Sequence, residues 1–140
     1  MNLYRSLGTV LHDDSFLKIL ELLAEEGYLQ NIRQFQCYLT SAITLNFSRS
    51  SRFVELICSM TNLQSLDIVG RELTPDVVAR VFQSCSKLTN LHIWIHNCKT
   101  LEMDEHLKNQ LRSGFQRLRR LYLECPIDNG TWPAIQEMLT

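Results

Sequence analysis

"MTNLQSLDI" (residues 60–68), "CSKLTNLHI" (85–93) and "FQRLRRLYL" (115–123) are three versions of one nine-residue pattern, apolar-x-x-apolar-x-x-apolar-x-apolar. Met60, Leu63, Leu66 and Ile68 fill its four fixed positions. Cys85, Leu88, Leu91 and Ile93 fill them again, as do Phe115, Leu118, Leu121 and Leu123. Upstream, "LQNIRQFQC" (29–37) supplies Leu29, Ile32, Phe35 and Cys37. The opening residues give a weaker copy, Met1, Tyr4, Leu7 and Thr9, in which Thr9 breaks the rule. The second fixed positions fall at 4, 32, 63, 88 and 118, which are 28, 31, 25 and 30 residues apart. Self-similarity at such a period signals a stack of like units.

Between copies the periodicity becomes helical. Phe16, Leu17, Leu20 and Leu23 share one face of 13–27, with Asp13 or Asp14 as a cap and Gly27 as a stop. Phe53, Val54 and Ile57 do the same over 50–60. Residues 74–85 start with Thr74 as cap and Pro75 at the first helical position, and carry the stripe Val77, Val78, Val81 and Phe82. Leu107 and Leu111 precede Gly114, which reads as the end of a fourth helix, and "TWPAIQEML" (131–139) starts a fifth. Residues 38–49 read as an insertion in which Ile43, Leu45 and Phe47 alternate with polar residues. A rival register would make 40–45 the strand, but it puts Thr40 in the core.

Strand, turn and helix repeated every ~20–29 residues is the leucine-rich-repeat layout. One strand–helix unit cannot bury its apolar face alone, so units stack and share a continuous core. Strands sit ~4.8 Å apart and helices ~8–10 Å apart, so stacking both layers curves the array with strands on the inside. The expectation is an α/β fold, a right-handed solenoid of about five repeats within one domain over 1–140, with parallel strands on the concave face and helices on the convex face. Neither end shows a polar capping unit, which leaves a fragment of a longer array, or edges that pair with something else, as alternatives.

The chain thus resembles leucine-rich-repeat proteins of the longer, helix-bearing type. Cys85 in "CSKLTNLHI" is similar to the cysteine-containing repeats of F-box proteins. That resemblance implies substrate recognition for an F-box-type ubiquitin ligase, with the Skp adaptor held by a segment outside this chain. The chain departs from the family where an Asn or Cys is expected after the strand; Arg71, His96 and Pro126 stand there. An F-box in the first forty residues is a rival, because "FLKILELL" (16–23) resembles that motif's first helix. The Leu-Pro start and a Trp-bearing third helix are missing.

Alternate strand residues point to opposite faces. The fixed apolar positions go to the core, and the residues between them form rows across the other face. One row is Ser6, Gln34, Ser65, Asn90 and Arg120; the next is Gly8, Gln36, Asp67, His92 and Tyr122; the third is Val10, Tyr38, Val69, Trp94 and Glu124. The first two rows are almost wholly polar although the pattern did not demand it. Aromatics amid charges are the mix enriched at protein–protein hot spots. A protein-binding face is therefore expected at Gln34, Gln36, Tyr38, Asp67, Val69, Asn90, His92, Trp94, Arg120, Tyr122 and Glu124. The competing reading covers these aromatics with a loop, or exchanges Trp94 and Ile95 through a bulge. A structural or regulatory scaffold that inhibits or assembles other proteins uses the same face.

The 14 Lys+Arg balance 15 Asp+Glu, which argues against an RNA-binding repeat. No membrane partner is expected, since no apolar run is long enough to span a bilayer. Five cysteines without a signal peptide suggest free thiols and a cytoplasmic or nuclear location. Cys37 and Cys85 read as small core residues. His92, His96 and Cys98 lack the spacing of a zinc site. No hydrolase, metalloprotease or phosphate-loop motif occurs, so the expectation is no enzyme, no metal and no cofactor.

Overall fold

The repeated pattern changes period halfway, from three to two, and the two halves fold differently. In each of the four copies whose turn is described, the second fixed residue donates its amide to the carbonyl of the first: Ile32 to Leu29 (3.2 Å), Leu63 to Met60 (3.0 Å), Leu88 to Cys85 (3.1 Å) and Leu118 to Phe115 (3.2 Å). This bond closes a tight turn whose first and fourth side chains lie on one side. The chain then runs extended. In a computed structural model the described residues are 6–9, 13–38, 52–95, 104–124 and 131–139, with the side chains of 6–9, 13–17, 38, 69–72, 131 and 134 outside the description.

Five strands follow, β1 (Ser6–Thr9), β2 (Gln34–Tyr38), β3 (Ser65–Leu73), β4 (Asn90–Ile95) and β5 (Arg120–Glu124). They form one sheet in chain order, and every pairing is parallel. The register matches the expected rows: Ser6, Gln34, Ser65, Asn90 and Arg120 are aligned, and so are Gly8, Gln36, Asp67, His92 and Tyr122. One carbonyl per unit fixes this alignment by accepting two amides from the next. Arg33 accepts from Gln64 (2.8 Å) and Ser65 (3.0 Å), Gln64 from Thr89 (2.9 Å) and Asn90 (3.0 Å), and Thr89 from Arg119 (2.7 Å) and Arg120 (3.1 Å). β2 ends at Tyr38, which supports the Ile32–Phe35–Cys37 register; residues 40–47 lie outside the described residues, as do Met1, Tyr4 and Val10.

A helix separates successive strands and another follows the last: α1 (Asp13–Glu25), α2 (Arg52–Cys58), α3 (Pro75–Ser84), α4 (Glu105–Arg117) and α5 (Thr131–Leu139). They pack on one face of the sheet. Phe35, Leu66, Ile68, Leu91 and Ile93 from the strands join Leu20, Phe53, Ile57, Val78, Val81, Phe82 and Leu111 from the helices in one core. Leu66 is 1% exposed and Leu91 4%, each burial stabilising by about 1.5–3 kcal/mol relative to an exposed side chain. Gly27, at φ 75°, ends α1 in the left-handed region open to glycine. Asp104 caps α4 by accepting the Leu107 amide at 2.7 Å. Arg52 ties α2 to α1 through Glu21 at 2.7 Å.

Three expectations need correction. Gly114 does not end α4, which runs on to Arg117; glycine is there because a Cβ would overlap the Phe82 ring of α3. Thr74 stands at the N-cap of α3 in extended backbone, but its hydroxyl makes no capping hydrogen bond. The third row is broken. β3 advances from Asp67 to Glu72 while β4 advances only from His92 to Trp94, so three surplus residues form a bulge. Val69 lies within it and faces Tyr38 but not Trp94, whose partners are Glu72 and Glu124. Pairing resumes in phase, so Trp94 stays on the open face and Ile95, at 0% exposure, stays in the core. The exchange of Trp94 and Ile95 through a bulge does not occur.

Candidate functional site

The face of the sheet opposite the helices carries the residues between the fixed apolar positions. Near its centre, β3, β4 and β5 bring Asp67, His92 and Tyr122 side by side as in-register neighbours. His92 Nδ1 lies 3.0 Å from Asp67 Oδ1, and His92 Nε2 lies 3.8 Å from Glu124 Oε2. The Tyr122 and His92 rings meet edge to face, with centroids 4.4 Å apart and planes at 72°. This clamps the imidazole between two carboxylates and a phenol ring.

The clamp leaves two polar atoms unmatched. Asp67 Oδ1 and His92 Nε2 are both buried and neither has a hydrogen-bond partner. The 3.0 Å approach of Nδ1 to Oδ1 is thus a close polar contact without hydrogen-bond alignment. With about 30% of each side chain accessible, water reaches the pair, and a partner's donor or acceptor can replace that water.

Ser65, Asp67, Asn90, His92, Arg120 and Tyr122 line a depression of about 300 Å³ on this face, with Leu66, Leu91 and Leu121 of the same strands also bordering it. Tyr122, which lines it, and Trp94, two residues beyond His92 on β4, have 63% and 37% of their surfaces exposed. Gln34 and Gln36 are exposed on β2, at the neighbouring register positions but outside the depression. The backbone of Tyr38 is aligned with that of Val69; their side chains are outside the described residues. The structure therefore brings Asp67, Asn90, His92, Arg120, Tyr122 and Glu124 together, with Trp94 beside them. It separates Val69 from Trp94.

Sequence reading missed a second hollow of about 370 Å³ between α3 and α4, lined by Phe82, Gln83, His106, Asn109, Gly114 and Arg117 among others. Its signal was Gly114, the close-approach residue. Arg117 borders it and donates to the Phe82 carbonyl at 3.0 Å and the Cys85 carbonyl at 3.4 Å. Sequence reading also passed over exposed Trp132 and Leu139 on α5, because the apolar stripe of a short helix does not distinguish inner from outer residues.

Nucleophilic chemistry at Cys58 and Cys85 is disfavoured. Cys37, Cys58 and Cys85 form no disulfide among the described residues. Burial pushes the Cys85 thiol up to about 12 and raises that of Cys58, so neither is a ready thiolate. No group of three or more metal-ligating side chains occurs among the described residues; His96 and Cys98 lie outside them. No described helix is long and apolar enough to cross a membrane.

No protein-family model matches the chain, and no curated protein sequence matches it either. Among solved structures, the tropomodulin C-terminal domain of Caenorhabditis elegans is similar in fold. The match has a TM-score of 0.56 and covers 96% of this chain and 81% of that one, at 16% sequence identity. The likeness shows a leucine-rich-repeat-like α/β fold. It carries no sign of an F-box protein.

Proposed function

We propose that the chain is a protein-binding module that engages its partner through the open face of the sheet, centred on the Asp67–His92–Tyr122 depression. The carrying observation is that exposed Tyr122 lines a hollow that also holds Asp67, His92 and Arg120, with exposed Trp94 two residues beyond His92 on β4, on a face that no described helix covers. Aromatic surface supplies affinity when it is desolvated, and the fixed charges around it supply register and selectivity. Wider spacing of helices than of strands makes this face the concave side of a short right-handed solenoid. Trp94, Tyr122 and Arg120 are the affinity residues; Asp67, His92 and Glu124 select. The face has no catalytic or cofactor role in this reading. Thiols that form no disulfide among the described residues suit a cytoplasmic or nuclear protein.

The resemblance of residues 85–93 to F-box repeats extends the proposal to substrate recognition for a ubiquitin ligase. That extension rests on sequence alone and is tested separately, by whether the full gene product co-purifies with the Skp adaptor. The binding proposal itself is tested with Trp94→Ala and Tyr122→Ala, reading partner capture by the purified chain together with its melting temperature. Lost capture with an unchanged melt supports it. Retained capture by the double variant refutes it.

A further inference from the structure

β5 is the outer strand of the sheet, and among the described residues no strand pairs with its free edge. Its core-side residues are less covered than their counterparts in the preceding units. Leu63, Leu66 and Ile68 in one unit, and Leu88, Leu91 and Ile93 in the next, are all between 0% and 4% exposed. Their counterparts Leu118, Leu121 and Leu123 are only partly buried against the same core. The residue types and pattern positions match, so place in the stack makes the difference. In the helix layer, α5 lies beside α4 as β5 lies beside β4. It exposes Trp132 (43%) and Leu139 (44%), two turns apart on one helical face. Among the described residues this unit thus presents a strand edge without a paired strand, half-covered leucines and two exposed apolar side chains.

The edge sequence is Arg120-Leu121-Tyr122-Leu123-Glu124, with Arg120, Tyr122 and Glu124 exposed and both leucines turned to the core. Laid antiparallel against itself and centred on Tyr122, it is self-complementary. Each Arg120 faces the partner's Glu124, each Leu121 faces the partner's Leu123, and the two Tyr122 side chains meet at the axis. Opposed residues in an antiparallel pair point to the same face, so charges meet on the open face and leucines on the core face. We propose that two copies of this chain join edge to edge through β5, antiparallel, about a two-fold axis at Tyr122. Such an interface is isologous and closes at two copies. It continues the sheet across both copies and brings the two α5 helices, with Trp132 and Leu139, together beneath it. Exposed strand edges are templates for this kind of pairing. An edge of five residues is only about 17 Å long, below a standard interface, so the pair is weak and concentration-dependent.

Light scattering on the chain alone, across the micromolar range, tests this without any other partner. The mass is expected to rise from 16.3 kDa towards twice that value and no further. Arg120→Glu and Glu124→Arg each place like charges opposite one another twice per dimer, so each weakens pairing roughly tenfold. The double variant Arg120→Glu/Glu124→Arg restores it, because antiparallel pairing preserves the exchanged complement. Melting curves confirm folding, and Arg120→Gln and Glu124→Gln serve where a reversal does not fold, with a smaller loss expected. A single-copy mass at every concentration overturns the proposal. So does growth beyond a pair, indifference to the single substitutions, or a double variant no tighter than the singles.

Discussion

Gly114 of α4 lies against the ring of Phe82 of α3, so close that a Cβ at position 114 would overlap the ring atoms. Phe82 cannot easily yield. It is 3% exposed and already edge-to-face with Phe115, at 5.3 Å between centroids. The two helices take their separation from this contact, and the hollow beside it follows.

Gly114→Ala therefore sets two effects against each other. Alanine favours the helix by about 1 kcal/mol over glycine, while forcing a methyl group into a packed ring costs about 1–3 kcal/mol. With Phe82 held on both sides, the clash wins. Urea unfolding is expected to show net destabilisation, and Phe82→Leu in the same chain should relieve part of it, because contacting sites are not additive. A Gly114→Ala protein more stable than the parent contradicts the geometry.

Arg117 closes the C-terminal end of α3 from the next unit, with Nη2 donating to the Phe82 and Cys85 carbonyls and its guanidinium 5.8 Å from the Phe82 ring centroid. Arg117→Ala should cost about 1–2 kcal/mol through the lost charged hydrogen bonds. Arg117→Lys should recover only part, since an ammonium lacks the planar fork that stacks and donates together. Thermal melts of the three proteins order them Arg, Lys, Ala.

Leu66 and Leu121 hold the same pattern position in different units, the first buried and the second half-covered at the end of the sheet. Leu66→Ala should cost about 2–5 kcal/mol, and Leu121→Ala clearly less. Denaturant titration of dilute protein separates them. Equal losses would mean that position in the stack does not govern burial.

The nine-residue pattern foretold this much because its two periods are physical. The spacing of three between Met60 and Leu63, or Cys85 and Leu88, is the reach of one tight turn, and the spacing of two in Leu66–Ile68 or Leu91–Ile93 is the pleat of a strand. Aligning those residues aligned the strands, and so placed Asp67, His92 and Tyr122 in one row before any coordinates. The bulge after Asp67 escaped, because "IVGR" (68–71) continues an extended pattern and nothing in its periodicity shows that β4 has no matching residues. Gly114 was misread for a related reason. Glycine is common both at helix ends and at close helix contacts, and only the position of Phe82 distinguishes them. The misaligned Asp67–His92 contact depends on side-chain angles that spacing does not encode.

The Asp67–His92 pair, half-exposed on the open face, should contribute little to folding. Each side chain is about 30% accessible, so water screens the attraction. A double-mutant cycle with Asp67→Ala and His92→Ala should give a coupling below about 1 kcal/mol in stability. The same cycle read on partner binding should give a larger coupling, since a bound partner excludes that water. A large folding coupling with none in binding would make the pair structural.

Cys85 provides the pH prediction. Its thiol is buried and pushed up to about 12 from an ordinary 9.0, with burial as the largest cause. In this window the native state holds the proton and the unfolded chain releases it. Stability is thus fully present below pH 9 and falls as pH rises from 9 towards 12. The slope approaches about 1.4 kcal/mol per pH unit for one such group. Burial raises the Cys58 thiol in the same direction, adding to the loss. Lysines and tyrosines also titrate there, so the useful quantity is the difference between the parent and Cys85→Ala. At pH 8 the variant should be the less stable, because it leaves a small cavity. Above pH 9 the parent should lose stability faster, narrowing and then reversing the gap. A thiol reagent at pH 8 should leave Cys85 unmodified until denaturant is added. Rapid native labelling at Cys85, or a gap constant across this range, would show that the thiol is open to water.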